Sequence, residues 1–133
     1  MQGRFPIENF KNKWFSRFVR QQDINDAELC QAVERAERGL IDADLGAGVI
    51  KQRIARPGQG RSGGFRSIIL LQSGERAFFV YGFPKSNRDN IGADEEKGFK
   101  ELAQHLFAFT DKELQTAIEK GILIEVVFNP GDM

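Results

Sequence analysis

The sequence predicts an α+β fold in which a small, mostly antiparallel β-sheet packs against helices. Consecutive runs rich in β-branched and aromatic residues follow one another in the middle of the chain, separated by turn signals, as in a β-meander. Segments with helical periodicity flank this region on both sides, and no internal repeat is visible. The chain has 133 residues, the length of one ordinary domain, so we expect a single domain over residues 1–133.

The first third of the chain predicts a short strand and two helical segments. Residues 9–15 alternate weakly between polar and apolar side chains, which indicates a strand that runs into a helical turn. That turn carries Trp14, Phe15 and Phe18 on one face. A longer helix is predicted over residues 25–38, because an asparagine–aspartate pair caps its start and a glycine follows its end.

The next segment predicts a turn, a strand and a loop. Residues 42–48 are rich in aspartate and glycine and read as a turn. Residues 49–55 read as a strand, in which Lys51 and Arg53 share one face because side chains alternate with a period of two. Residues 57–64 contain four glycines and a proline, so we expect a flexible loop.

A β-hairpin is predicted directly after this loop. Residues 65–71 form its first strand and residues 76–83 its second, and both are dense in β-branched and aromatic residues. Residues 72–75 provide the turn, which makes the two strands antiparallel neighbours. Together with the preceding strand they form a three-stranded meander.

The C-terminal part predicts two helices and a final strand. Residues 93–109 carry an apolar stripe behind an acidic first turn, as expected of an amphipathic helix. A second helix over residues 110–120 begins with a threonine–aspartate cap and ends at Gly121. Residues 122–127 read as the last strand, and residues 128–133 are expected to fray.

Composition excludes several classes of protein. With one cysteine, Cys30, and one histidine, His105, the chain has no intramolecular disulfide and no pair of strong ligands for zinc, so we expect neither a metal nor a cofactor. Each of these two residues is simplest to interpret as structural. There is no apolar run long enough to span a membrane and no apolar core of a signal peptide, so a cytoplasmic location and no membrane partner are expected.

The net charge of zero conceals an uneven distribution. Residues 1–50 carry seven bases and eight acids, and residues 91–133 carry four bases and nine acids. Residues 51–90 carry eight bases and only two acids, a net charge of +6. Seven of these eight bases are not followed four residues later by an acid, so they are poorly placed for neutralisation by a helical neighbour. The middle of the chain therefore predicts a basic surface suited to a polyanion.

Bases and aromatic residues are interleaved in this region. Tyr81 and Phe83 lie two residues apart on one predicted strand, and bases bind phosphates while exposed aromatic rings stack on unpaired bases. The alternative is that both rings are core and the cations only solvate one sheet face. The bases that the predicted sheet brings together are Lys51, Arg53, Arg56, Arg61, Arg66, Lys85 and Arg88.

Nucleotide-cofactor motifs are excluded, whereas metal-free RNA cleavage is compatible with the composition. Residues 58–63 match the letters of the dinucleotide fingerprint, but a strand follows them where that motif requires a helix. RNA is cleaved without a metal when the 2′-hydroxyl attacks the adjacent phosphate, and cations stabilise the charge that develops. Arginine does not act as a base at ordinary pH, so proton transfer would fall to Lys85, Lys51 or Tyr81.

Residues 51–66 and 76–91 closely resemble the HigB-like branch of the RelE/ParE superfamily of bacterial toxins. The similarity extends upstream to residues 42–46 and downstream to residues 99–103, and covers roughly residues 8–126 in all. The resemblance implies the toxin of a type II toxin–antitoxin system, with a RelE-like fold. Such a toxin enters the ribosomal A site and cleaves translated mRNA. Its cognate antitoxin is a helix-turn-helix protein encoded beside it, and operator DNA is bound only through that antitoxin.

The resemblance also implies site residues. Many members of this branch carry lysine where this chain has Arg61, and lysine can release a proton whereas arginine cannot. If that lysine is the acid or base of the family, we expect slow cleavage or the use of Lys85 instead. The alternatives are a non-catalytic RNA-binding protein and a member that targets DNA gyrase. Carried onto this sequence, the catalytic positions are Arg56, Arg61, Arg66 and Lys85, and the RNA-binding positions are Lys51, Arg53, Tyr81, Phe83 and Arg88.

Overall fold

The computed structural model describes residues 7–56, 60–84 and 91–127, with residues 56 and 60–63 described through their backbone alone. Within these ranges it contains four helices and one six-stranded sheet, which confirms the predicted α+β class. The elements in chain order are β1 (Glu8–Asn12), α1 (Lys13–Gln22), α2 (Asp26–Glu37), β2 (Ala43–Gly46), β3 (Val49–Arg56), β4 (Gly60–Gln72), β5 (Arg76–Pro84), α3 (Ala93–Phe107), α4 (Asp111–Glu119) and β6 (Leu123–Val126).

The strands are arranged in the order β2-β3-β4-β5-β1-β6. Strands β2 to β5 form an antiparallel meander, so the predicted three-stranded meander is confirmed and gains a fourth strand. The first strand, β1, lies between β5 and β6; it runs parallel to β5 and antiparallel to β6. The sheet is therefore mostly antiparallel, as predicted.

The sheet is covered by helices on both faces. Helices α1 and α2 pack on one face, where Phe15 and Leu29 meet Phe79 and Ile69 of the sheet. Helices α3 and α4 pack on the other, where Leu106 and Leu114 share a core with Phe78 and Leu70. We call these the α1/α2 face and the α3/α4 face. Because alternate residues of a strand point to opposite faces, the central strands β3, β4 and β5 carry apolar side chains on both sides.

The helices begin and end at the residue types that the sequence indicates. The side chain of Asn25 accepts a hydrogen bond from the amide of Glu28 (3.0 Å) at the start of α2, and Gly39 adopts φ +88° beyond its end. At the start of α4, Thr110 and Glu113 form a reciprocal capping box (3.1 and 2.8 Å). The helix predicted as a single turn after β1 is longer than expected, since α1 extends over ten residues.

The prediction of a turn over residues 42–48 is wrong. Residues 43–46 form the edge strand β2, which pairs with β3. The turn is confined to Ala47 and Gly48, both of which have positive φ (+55° and +83°). Two successive residues of this kind match the right-handed twist of the flanking strands, so a two-residue turn suffices to join them.

The predicted loop over residues 57–64 is also shorter than expected. Residues 60–64 belong to β4, and residues 57–59 lie outside the described residues, as do the expected frayed residues 128–133. Gly64 explains why the strand extends this far. A Cβ at this position would lie 1.9 Å from the carbonyl oxygen of Ile54, so only glycine allows β3 and β4 to approach so closely.

A buried amide fixes β3 to its neighbours. The side chain of Gln52 is fully buried; its Nε2 donates to the carbonyl oxygens of Ala32 (3.0 Å) and Leu40 (2.9 Å), and its Oε1 accepts from the amide of Asp42 (3.1 Å). All of its hydrogen-bonding groups on the α1/α2 face are thus used. The neighbouring residues of β3 project to the opposite face, where the candidate site lies.

Candidate nucleic-acid interface

Two cross-strand rows on the α3/α4 face bring the predicted cations and aromatic residues together. Lys51 of β3 lies opposite Ile68 of β4, which lies opposite Tyr81 of β5. In the next row, Arg53 lies opposite Arg66, which lies opposite Phe83. Directly paired side chains of neighbouring strands start only about 5 Å apart. Lys51, Arg53 and Arg66, which we call the cationic rows, therefore form a continuous group.

A β-bulge at Val80 aligns β5 with these rows. Ile69 pairs with Phe79 and Ile68 pairs with Tyr81, so Val80 is an extra residue on β5. Before the bulge, odd-numbered residues of β5 such as Phe79 face α1 and α2. After it, Tyr81 and Phe83 belong to the core of the α3/α4 face. The bulge thus reverses the alternation and turns both rings to the side on which the cations lie.

The two arginines of the cationic rows lie directly opposite each other. Both side chains are half-buried, and no acidic side chain among the described residues forms an ion pair with either. The nearby carboxylate of Asp42 accepts instead from the backbone amide of Arg53 (2.5 Å). Like charges in directly opposite positions destabilise a sheet. A bound anion would relieve this repulsion.

The two aromatic residues of the rows differ in exposure. Phe83 is only 3% exposed, so its ring supports the arginine row from the core and offers no free face. Tyr81 is half-buried and is the one that reaches the surface. Of the two alternatives drawn from the sequence, the core ring therefore applies to Phe83 and the surface ring applies to Tyr81.

Tyr81 lies at the centre of an aromatic cluster that the sequence does not reveal. Its ring lies 4.7 Å from that of Trp14, 5.9 Å from Phe99 and 6.0 Å from Phe83, measured between centroids. Trp14 stacks in turn on Phe18 (5.2 Å) and is 43% exposed. Sequence analysis missed Trp14 and Phe99 as neighbours of the site, because the contacts join α1 and α3 to β5 across long sequence separations.

Four predicted site residues are described incompletely or not at all. Arg56, which pairs with Gly60, ends β3, and Arg61 lies at the start of β4, so both backbones lie at the end of the hairpin nearest the arginine row. Their side chains lie outside the described residues. Lys85 and Arg88 lie outside them entirely. The roles assigned to these four residues stay predictions.

One base of the positive segment is neutralised far from the site. Arg76 begins β5 at the opposite end from Phe83; its guanidinium contacts the carboxylate of Asp111 at 2.6 Å and that of Glu8 at 3.9 Å. It also donates to the carbonyl oxygen of Phe109 (2.9 Å). No local pattern indicates this neutralisation, because the acids come from distant parts of the chain. Arg76 therefore does not add to the positive charge at the cationic rows, although it belongs to the positive segment of residues 51–90.

The single cysteine and histidine take no part in the cationic rows. Cys30 packs against the core of the α1/α2 face, as predicted, and its Sγ accepts a hydrogen bond from Asn9 (3.7 Å). Burial, together with the charge of Asp26, raises the pKa of this thiol. His105 is exposed on α3 and packs edge-on against Phe109. Across the described ranges, no group of three or more His, Cys, Asp and Glu side chains is arranged to hold a metal ion.

A comparison with protein families finds a match over most of the chain. A family model described as "RelE toxin of RelE / RelB toxin-antitoxin system" matches residues 7–126, a range that includes every strand and helix described above. A comparison with curated proteins finds no match. None of the described helices is long and apolar enough to cross a membrane.

Proposed function

Because the chain belongs to the RelE family, the toxins of RelE/RelB toxin–antitoxin systems, we propose that it arrests translation by cutting mRNA on the ribosome. RelE toxins are generally endoribonucleases and act together with an antitoxin partner. The observation that carries the proposal is the pair of cross-strand rows, which combine three cations with the half-buried ring of Tyr81 on one sheet face.

The cleavage requires a nucleophile from the RNA itself, cations to stabilise charge, and groups that move two protons. The 2′-oxygen of one nucleotide attacks its own 3′-phosphate, the bond from phosphorus to the 5′-oxygen of the next nucleotide breaks, and a 2′,3′-cyclic phosphate and a 5′-hydroxyl are formed. One proton leaves the 2′-hydroxyl and one is delivered to the departing 5′-oxygen. The extra negative charge of the pentacoordinate intermediate is stabilised by fixed cations, a contribution that is large where water is excluded.

Arg66 and Arg53 are the stabilising cations of this proposal. They lie on paired strands, and the hydrogen bonds of Gln52 hold the backbone of β3 in place beneath them. Proton transfer is assigned to Lys51, Tyr81 or Lys85, since guanidinium groups stay protonated. Arg56, Arg61 and Arg88 are proposed to contact the RNA backbone around the same site.

The proposed antitoxin is a helix-turn-helix protein that covers the cationic rows and links the toxin to operator DNA. An acidic or helical segment of such a partner would neutralise Arg53 and Arg66 by charge complementarity. The association is then expected to weaken as salt is added, because the charges at its rim are screened. The reading frame beside this gene is the first place to look for it.

A cell-free translation reaction tests the proposal. The purified protein is expected to cut a message that is being translated and to leave the same message intact when initiation is blocked. Arg66→Ala is expected to lower the cleavage rate by about 10²- to 10³-fold, the usual effect of removing one group that stabilises developing charge. Arg38→Ala is the matched control, because Arg38 is an exposed arginine at the end of α2.

The outcomes distinguish the alternatives. Cleavage that persists unchanged in both Arg66→Ala and Lys85→Ala would show that the site has been assigned wrongly. Intact message together with a DNA-damage response in cells would indicate a gyrase poison. Expression without growth arrest, in cells that lack the antitoxin, would indicate a protein that binds RNA without cutting it. A 2′-deoxynucleotide at the mapped cleavage position is expected to abolish cutting, since it removes the attacking group.

A further inference from the structure

Among the Phe, Tyr and Trp side chains of the described residues, Trp14 is the one that is exposed rather than buried or half-buried. It is also the only tryptophan in the chain. A large apolar ring left in water at 43% exposure gains stability if a partner covers it. Its place beside Tyr81 connects this open ring to the cationic rows.

The chain holds Trp14 in this position through the start of α1. Strand β1 ends at Asn12, and from Val80 onward α1 takes the place of β1 beside β5. The side chain of Asn12 ties the two together, since its Oδ1 accepts from the amide of Phe15 (2.8 Å) and its Nδ2 donates to the carbonyl oxygen of Val80 (3.1 Å). The first turn of α1 is thereby fixed to β5 at the bulge.

The ring itself is oriented by two aromatic neighbours. It stacks nearly parallel on Phe18, with an interplanar angle of 16°, and lies tilted by 31° against Tyr81. Phe18 is buried and is held in turn by Phe65 of β4 (4.9 Å between centroids). A ring restrained in this way loses little freedom when a ligand stacks on it.

The distance from the cations suits a nucleotide. Tyr81 lies in the same cross-strand row as Lys51, two strands away, which corresponds to about 10 Å. This is comparable to the reach of a nucleotide from its phosphate to the outer edge of its base. Trp14 lies one ring beyond Tyr81 (4.7 Å between centroids), and Arg66 is the diagonal neighbour of Tyr81, so a phosphate held by Arg66 leaves a neighbouring base within reach of Trp14.

We propose that Trp14 is a stacking platform for an unpaired base of the mRNA that is bound at the cationic rows. The inference rests on the proposed function and adds a residue to the RNA-binding site. RNA is favoured over a protein partner because Tyr81, against which Trp14 packs, lies diagonally opposite Arg66, and because base stacking on aromatic rings accepts any base. Trp14 thus extends the site beyond the residues that the family resemblance implies.

The test measures cleavage on ribosomes stalled with a defined codon in the A site, as a function of toxin concentration. Trp14→Leu keeps an apolar contact with Phe18 and Tyr81 but removes the π-face. Its half-saturating concentration is expected to rise by about 5- to 150-fold, the range for loss of one base stack. Trp14→Phe is expected to restore most of the affinity. Leu40→Ala, which changes another exposed apolar residue (58%), is the matched control.

Each outcome bears on a separate claim. Equal half-saturating concentrations for wild type and Trp14→Leu would overturn the inference while leaving the proposed function intact. Absence of cleavage by the wild type would remove the proposed function, and this inference with it. If Trp14→Leu leaves cleavage unchanged but weakens binding of the antitoxin, the ring belongs to a protein interface and the inference is wrong. A loss that Trp14→Phe does not rescue would indicate a merely structural role and would also overturn it.

Discussion

Replacement of Arg66 by threonine is expected to stabilise the protein while it destroys the proposed activity. Arg66 lies directly opposite Arg53 on the neighbouring strand, and among the described residues neither guanidinium has an acidic partner. Threonine keeps the strand, because it is β-branched and favours extended backbone. The substitution therefore removes repulsion without removing the secondary structure.

The size of the effect follows from the geometry of the pair. Two unit charges about 6 Å apart repel each other by about 0.7 kcal/mol in water. This lies within the range of about 0.2–1 kcal/mol that directly opposite side-chain pairs contribute in a sheet, and like charges contribute with a destabilising sign. Both side chains are half-buried, so the water value is the appropriate lower limit. Some of this gain is offset by the lost packing of the arginine stem. We expect a net gain of about 0.5 kcal/mol, or roughly 2 °C in melting temperature.

The assay is a double-mutant cycle of Arg53→Thr and Arg66→Thr, followed by thermal and urea unfolding. Each single variant is expected to be more stable than wild type, and the double variant should gain less than the sum of the two. At an ionic strength of about 1 M, where the Debye length falls to about 3 Å, the difference between wild type and Arg66→Thr should shrink. A coupling energy of the opposite sign, or a loss of stability in Arg66→Thr that salt does not change, would refute the reasoning.

Three further predictions concern the framework of the site. Gln52→Leu leaves two carbonyl oxygens and one amide without their buried partner, so it should lower the free energy of unfolding by about 1–3 kcal/mol. Gln104→Leu, at an exposed position, is the control and should not lower it; equal urea midpoints for the two variants would contradict this. Gly64→Ala forces a Cβ to within 1.9 Å of the carbonyl oxygen of Ile54 and should destabilise the protein by about 1–3 kcal/mol or more. Gly98→Ala, in open space on α3, should be neutral or stabilising, and thermal melts that rank the two variants the other way would disprove the close approach. Burial and the charge of Asp26 raise the pKa of Cys30, so iodoacetamide should alkylate this thiol more slowly in the native protein than in urea, and more rapidly as pH rises. Equal alkylation rates in the native and unfolded states would show that the thiol is not protected.

Local patterns in the sequence were sufficient to predict most elements of the fold. The period-two alternation placed Lys51 and Arg53 on one face of β3, and the caps placed α2 and α4. These features depend on residues close together in the chain. The strand β2 was missed because its aspartates and glycines are typical of turns, and its pairing with β3 outweighs that preference.

The arrangement of the site could be predicted only in part. No local signal marks the bulge at Val80, which depends on the register between β4 and β5, yet it decides the face on which Tyr81 lies. The neutralisation of Arg76 and the contact of Trp14 with Tyr81 depend equally on residues far apart in sequence. Charge along the chain therefore predicted that a basic surface exists, and the sheet register determines which bases form it.

The most direct test of the central claim is the single-turnover cleavage of a translated message by the double variant Arg53→Ala/Arg66→Ala. Its melting temperature is recorded first, to establish that the fold is intact, and Arg38→Ala serves as the control. The account predicts that the double variant cleaves at least about 10²-fold more slowly than wild type, while the control matches wild type. A folded double variant that cleaves the message at the wild-type rate would contradict the account.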